Sequence, residues 1–487
     1  MILRILLLAS LVVPSAFCAG ANDLSAWERS LVSLEINREG YDYTQPWTRS
    51  SLTVPKSGVV IDSRLILTTA DQMNDLVMVR IQKGGRGRKY TGELVWLDYH
   101  ANLALITCAD DEFWDGLRKA SFMKKIPLEG EVRLLRWRDG KLEARKMEIN
   151  RPLIRPGKLT FIDLMHLEVD GDVQGIGWSE PVIDGGRMIG LMSEQSGTGG
   201  LLIPAPFIER ILEARKDGDY PGLGFFNFFW QRAENPVTLK SLKLDSTDQG
   251  VIVIKSIAKL NEESILKPKD VILEVAGYEI GPEGDYQDPI YGRIMLEALA
   301  SQKVWAGDEV PMKIWRDGKA MDIKYKLPKA EYKDELIPDQ NFDEPPQFLI
   351  AGGFVFQPLN LPYLKSWGGD WQRSAPFQLA YLKQAVPDDE REAIVILSMV
   401  LPDQFNVGYQ SVRNLIVHEV NSKKIVRLKD IEEALKHPED GYHIIKFSEG
   451  DSPGRIILDA EEMDRATQRI IRQYGIEKDR HIEPVVE

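Results

Sequence analysis

Side chains able to act as bases, nucleophiles or soft metal ligands are sparse in this chain. There are six histidines, His100, His166, His418, His437, His443 and His481, and two cysteines, Cys18 and Cys108. Two cysteines exclude a disulfide framework, an iron–sulfur cluster and a cysteine-based zinc site. Glu168, Asp170 and Asp172 could be drawn as a hard-cation cluster, but acids at that spacing usually form a solvated loop, so no metal and no cofactor are expected. Ser179 stands beside Glu180. Neighbours on a loop usually point apart, so this pair does not make a nucleophile and its base. His100 and His166 lie in the same stretch of chain as Ser179. A rebuilt serine–histidine pair is conceivable with either, yet both read as ordinary loop or strand residues. Lys83-Gly84-Gly85-Arg86-Gly87-Arg88-Lys89 is a basic, glycine-rich run. It is either an anion patch or a solvated hairpin tip, and the acidity of the chain favours the tip.

Those side chains have to be held by mainly β elements. The chain has 487 residues, of which 43% are apolar and 28% charged, and its net charge is −13. A pI near 5.2 and a mean hydropathy of −0.24 exclude a whole-chain nucleic-acid binder and a bulk membrane protein. Length alone predicts about three domains. Arg4, the apolar run from Ile5 to Val13 and the small residues Ala19-Gly20-Ala21 read as a secretory signal over 1–21. The run is too short to span a bilayer, so the expected location is secreted or periplasmic, with no stable membrane span.

Residues 22–216 read as many short strands closed by a helix from Ala205 to Arg215, the pattern of a barrel or sandwich. A second unit, 220–330, mixes strands with an amphipathic helix expected at Ile290 to Ala300. Residues 331–346 hold acids and prolines and read as a linker. A third unit, 347–487, repeats a strand–helix–strand plan. It ends in a helix begun at Asp459 with Glu462 at the capping-box position, whose Met463, Ala466, Ile470, Ile471 and Tyr474 share one face.

Four segments in this order resemble the HtrA/Deg family. Ser57-Gly58-Val59-Val60-Ile61 is similar to its G-S-G-F-V-I strand. Ile66-Leu67-Thr68-Thr69-Ala70-Asp71 is similar to I-L-T-N-A-H. Asp98-Tyr99-His100-Ala101-Asn102-Leu103-Ala104-Leu105 resembles D-x-x-x-D-L-A-L, and Gly199 to Pro204 resembles the strand before the family's barrel helix. The third unit, with Gly352-Gly353-Phe354, is most similar to the plant-type Deg subgroup. The resemblance implies a trypsin-like double β-barrel followed by two PDZ-like α+β domains, and acyl transfer by a Ser-His-Asp triad. In this chain the triad positions are substituted. Asp71 stands for the histidine, Asn102 for the aspartate, and either Trp178 or Ser179 for the serine, depending on how G-N-S-G-G-P is laid on Ile176 to Pro181. A carboxylate is a far weaker base than an imidazole, and an amide cannot stabilise an imidazolium. No catalytic residue is therefore expected.

The resemblance also implies peptide capture by strand addition. Gly222-Leu223-Gly224-Phe225 fits the x-Φ-G-Φ loop that offers backbone amides to a terminal carboxylate. In Ala351-Gly352-Gly353-Phe354 glycine replaces the apolar residue, so the second PDZ-like domain is expected to pack rather than bind. The chain reads as an exported pseudoprotease that binds peptides or unfolded proteins as an adaptor, chaperone-like factor or partner of an active protease. An active serine endopeptidase with an atypical site and a purely oligomeric scaffold are the alternatives. A homo-oligomer, possibly a trimer assembled through Tyr41, Tyr43 and Trp47, is what the resemblance implies.

Overall fold

The computed structural model describes residues 24–482 except 245–248, 258–263, 333–334, 384, 386–390, 392, 449 and 451. The expected signal segment 1–21 lies outside the described residues. Strands β1 (Leu31–Tyr41), β2 (Arg49–Asp62), β3 (Leu65–Thr68), β4 (Leu76–Lys83), β5 (Lys89–Asp98) and β6 (Leu103–Thr107) close in the order β1-β2-β3-β6-β5-β4. Alternation with period two sends one side of each strand inward. Val32, Leu34, Ile36, Val60, Ile66, Val79, Ile81, Ala104 and Ile106 fill the interior with Phe113. Each large apolar side chain buried this way contributes about 1.5–3 kcal/mol.

Strands β7 (Gly130–Arg138), β8 (Lys141–Pro156), β9 (Asp163–Asp170), β10 (Pro181–Asp184), β11 (Arg187–Ser196) and β12 (Gly199–Pro204) pair in the order β10-β11-β12-β9-β8-β7. Val182 opposite Leu134 returns the last strand to the first. The two sheets face each other across Leu31, Leu67, Leu103, Leu135, Leu191 and Ile203. Phe207, Ile208 and Ile211 of the helix Ala205–Asp217 join that layer. Pro206 starts this helix, where a missing N–H costs nothing, and left-handed Gly218 ends it by donating its N–H to the Arg215 carbonyl.

The second unit is a sheet in the order β13 (Phe228–Arg232), β14 (Val251–Ser256), β15 (Val271–Val275), β19 (Glu309–Arg316), β20 (Lys319–Lys326), with β16 (Tyr278–Glu279) on β15. Its apolar face runs without a break into the core of the second six-stranded sheet. The helix expected over Ile290 to Ala300 is instead a hairpin, β17 (Asp285–Asp288) with β18 (Gly292–Met295), followed by a short helix Glu297–Gln302. Asp288 captures the N–H groups of Ile290 and Tyr291, and Gly292 turns at φ +74, so the chain reverses before it can wind.

The third unit is an eight-stranded sheet in the order β27 (Arg455–Asp459), β26 (Tyr442–Phe447), β24 (Leu415–Val420), β23 (Val395–Val400), β22 (Phe354–Pro358), β21 (Phe348–Ala351), β28 (Arg480–His481), with β25 (Lys423–Lys424) on β24. Asp459 caps the helix Ala460–Gln473 by accepting from the Glu461 and Glu462 amides. Ala466, Ile470 and Ile471 of this helix bury against Phe348, Ile350, Val355 and Leu401. Among the described residues no helix is long and apolar enough to cross a membrane.

Candidate functional site

Asp71 and Asn102 meet where β3 ends and β6 begins. The Asp71 N–H donates to Asn102 Oδ1 at 2.9 Å. Asp71 is 2% exposed, and its Oδ2 accepts from Lys158 Nζ at 2.6 Å. Lys158 comes from the turn between β8 and β9, and its ammonium lies 5.5 Å from the centre of the Trp178 ring. Asp71, Asn102 and Trp178 are thus brought together, with a lysine ion pair filling the space between acid and indole. The sequence carried no sign of Lys158, a single lysine in a Pro-Gly turn.

Ser179 turns the other way. It is 0% exposed, with φ +69. Its Oγ accepts from the Thr69 N–H at 2.8 Å and lies 2.9 Å from Thr68 Oγ1 and 2.6 Å from Thr69 Oγ1. Among the described residues no imidazole bonds to it. His100 pairs with Thr160 Oγ1 at 2.7 Å and stacks on Tyr332, and burial pushes its pKa down. His166 is buried on β9 with neither ring nitrogen bonded. Burial and neighbouring Arg155 hold its pKa at about 4.

One base near Ser179 escaped the reading of the sequence. Lys56 Nζ donates to the Thr69 carbonyl at 2.6 Å, to Thr69 Oγ1 at 2.8 Å and to the Asp71 carbonyl. Burial drags its pKa down to about 7 against the opposing pull of Asp71. Strand alternation could have found it, because Lys56 shares the inward face of β2 with Gly58 and Val60.

The backbone amides beside Ser179 are occupied. Glu180, 3% exposed, folds its Oε2 back onto the N–H groups of Gly177 at 3.1 Å and Trp178 at 2.8 Å. Burial pushes the Glu180 carboxyl pKa up while these amides pull it down. Gln195 Oε1 takes the Gly175 amide at 3.0 Å and the Ile176 amide at 3.4 Å, and the Ser179 N–H goes to the Met192 carbonyl. Gly177 sits at φ +95, where a Cβ would fall 2.8 Å from Glu194 Cα, so only glycine fits. Amides of this kind stabilise a developing oxyanion when they point at an open position. Here a carboxylate of the chain itself already holds them.

The loop Gly222-Leu223-Gly224-Phe225 is zipped to the strand end that follows β20. The Phe225 N–H donates to the Pro328 carbonyl, the Ala330 N–H donates to the Leu223 carbonyl, and Gly224 bridges to Lys329. The Phe225 ring meets Phe161 edge-on. β13, which follows this loop, pairs with β14 on one side only. Trp230 of β13 reaches the helix Glu297–Gln302 through Nε1–H to Glu297 Oε1 at 2.9 Å. In the third unit Gly352 and Gly353 instead make the tight turn between β21 and β22, and β22 is paired on both edges.

Other candidates are engaged locally. Lys83 and Arg88 of the basic run contact the acidic segment 110–115. Glu168 pairs with Arg151, and Asp170 accepts from Asn150. Trp47 packs edge-on against Phe348 of the third unit, and Tyr43 packs on the cluster around Leu359. The Tyr41 hydroxyl donates to Glu39.

A closed β-barrel joined to C-terminal α+β units defines a class that comparison with known proteins makes specific. A family model described as PDZ domain matches residues 337–482. The chain is 25% identical over 471 residues to protease Do-like 2, chloroplastic, of Arabidopsis thaliana, covering 94% of this chain and 76% of the relative. It is 23% identical over 386 residues to protease Do-like 4, mitochondrial, of the same plant, covering 78% and 71%. Among solved structures, a variant of the HtrA-type protease AlgW with a decapeptide superposes with a TM-score of 0.50 at 16% identity, over 64% of this chain and 97% of that one. The chain is thus similar over most of its length to serine-protease-like proteins of the HtrA/Deg family, and its C-terminal unit matches a PDZ domain.

Proposed function

We propose that this chain is an exported, proteolytically silent HtrA/Deg homologue that holds extended peptide segments. It would serve as an adaptor, chaperone-like factor or partner of an active protease. In this reading the two closed sheets are a trypsin-like double barrel, and units two and three are PDZ-like domains. The observation that carries it is the refilled centre. Trp178 lies under the Lys158 ammonium that pairs with Asp71, and Glu180 occupies the neighbouring amides. Laid gaplessly on G-N-S-G-G-P, Trp178 takes the serine position and Ser179 the following glycine, which suits the left-handed φ of Ser179. The path from Ser179 through Thr69 Oγ1 to Lys56 favours a second reading, serine chemistry with a lysine base. Complete burial of the hydroxyl argues against that reading, since a peptide carbonyl must come within about 3–3.5 Å of it. Peptide capture is assigned to the open edge of β13 beside the x-Φ-G-Φ loop Gly222, Leu223, Gly224 and Phe225, in keeping with the decapeptide carried by the structurally similar AlgW variant.

A fluorophosphonate probe and a casein-cleavage assay on the purified chain test the first claim. Neither labelling nor cleavage is expected. Cleavage abolished by Ser179→Ala would overturn it. Binding of fluorescent peptides, lost in Phe229→Asp on the open edge and kept in Val237→Asp elsewhere on the surface, tests the second. Equal binding by both variants would refute it.

A further inference from the structure

Strand β27 ends the sheet of the third unit and has a neighbour only in β26. The Phe447 N–H donates to the Gly454 carbonyl, and the Ala460 N–H donates to the Gly441 carbonyl. With Ile445 opposite Ile456, those bonds aim the main-chain groups of residues 454, 456, 458 and 460 at β26. The N–H and C=O groups of Arg455, Ile457 and Asp459 therefore face away from the sheet. Side chains alternate as well. Ile456 and Leu458 are buried, whereas Ile457 is 43% exposed beside Ile444 and Tyr442 on the outer face. Such edges are ordinarily guarded by lysine, proline or a bulge. The edge strand β20 carries Lys319, Lys324 and Lys326. β27 has an isoleucine at its centre.

We infer that β27 is a self-pairing edge whose occupant is β27 of a second copy of this chain, antiparallel about a two-fold axis through Ile457. Arg-Ile-Ile-Leu-Asp is charge-complementary to its own reverse. Ile457 meets Ile457 of the second copy in a position where both exchange N–H···O=C bonds. Arg455 comes opposite Asp459 of the second copy, and Ile456 comes opposite Leu458. Asp459 Oδ1 caps its helix, and among the described hydrogen bonds Oδ2 takes none, which leaves that oxygen for the arginine. Opposite charges directly across a strand pair favour this register, and a slip would lose them. Pro453 stops the pairing before Gly454, because proline brings no N–H to a ladder. Five residues bury far less than the roughly 1,200–2,000 Å² of a stable interface, so the contact is weak alone. It doubles whatever assembly the rest of the chain forms.

Sedimentation equilibrium of the full chain, at concentrations rising to the order of 100 μM, tests this. The wild type is expected to show a concentration-dependent doubling of mass. Ile457→Lys sets two ammonium groups at the axis and should weaken the doubling at least tenfold, and Arg455→Asp should do the same by facing Asp459 with like charge. Both side chains are exposed, so the fold should hold, as circular dichroism can check. Phe377→Lys, at another exposed apolar site, should leave the doubling unchanged. No doubling in the wild type, doubling unaffected by Ile457→Lys, or equal loss in Phe377→Lys would each overturn the proposal.

Discussion

At Lys56 a primary amine is sealed inside the first barrel against three oxygens, those of Thr69 and the Asp71 carbonyl. Three acceptors suit an ammonium, while burial opposes the charge and brings the pKa down to about 7. In the unfolded chain a lysine titrates near ~10.4. Between these values the unfolded chain binds more protons than the folded one, so stability must rise with pH across that window. The penalty is fully imposed below about pH 7 and gone above the unfolded value. Lys56→Met removes this titration. It also strands the Thr69 and Asp71 carbonyls, at about 1–3 kcal/mol each, so its absolute stability falls. The informative quantity is the slope. Urea unfolding at a series of pH values from 7 to 10 should show the wild type gaining up to about 1 kcal/mol per pH unit over the variant's own trend. Parallel curves would mean that Lys56 is charged throughout in the fold.

Residues 331–346 join the second and third units and do more than connect them. Acids and prolines mark a connection, but its apolar residues are anchors. Phe342 stacks on Tyr99 at 3.8 Å, and Tyr332 stacks on His100 at 4.2 Å. Asp343 accepts from the Asp75 N–H and the Tyr99 hydroxyl, both at 2.7 Å, and Leu336 and Ile337 are buried in the third unit. The segment is a strap across the loop that carries Asn102. Phe342→Ala with Asp343→Ala should therefore speed amide exchange in 95–102 and 335–343 by about tenfold or more while the barrel interior stays protected. Unchanged exchange in 95–102 would show that the loop holds itself. Strands such as β2 and β6 and the capped helix from Asp459 were readable because their signals are local, an alternation or a cap. The ion pair of Lys158 with Asp71 joins residues far apart in the chain, and no periodicity announces it. Glu180 was visible as an acid beside Ser179, but its turn back onto the Gly177 and Trp178 amides depends on Gly177 adopting φ +95. The amphipathic stretch 290–300 is helical only from Glu297. Before that residue the turn set by Asp288 and Gly292 overrides the apolar pattern.

Cooperativity should follow the cores rather than the sequence divisions. One apolar cluster runs from Val132, Leu134 and Leu167 of the second six-stranded sheet into Val251, Ile272 and Leu299 of the second unit. Arg210 clamps the same seam. Its guanidinium lies 3.4 Å from the centre of the Trp305 ring and donates to the Ser301 and Val304 carbonyls at 2.8 and 2.9 Å. Burial lowers its pKa to about 10, which still leaves it charged at neutral pH. The clusters of the third unit take in Tyr43 and Trp47 from the segment between β1 and β2 but none of these residues. Calorimetry should therefore resolve two transitions, one for residues 24–330 together and one for the third unit. Arg210→Ala removes a cation–π contact of about 0.5–2 kcal/mol and leaves two carbonyls short of a donor. The shift per kcal/mol shrinks with size and falls below the roughly 2–4 °C of a ~150–250-residue domain for a body this large, so the first transition should drop by a few degrees and the second should not move. If the barrels and the second unit melt separately, or if both transitions shift together, the shared core does not act as one cooperative body.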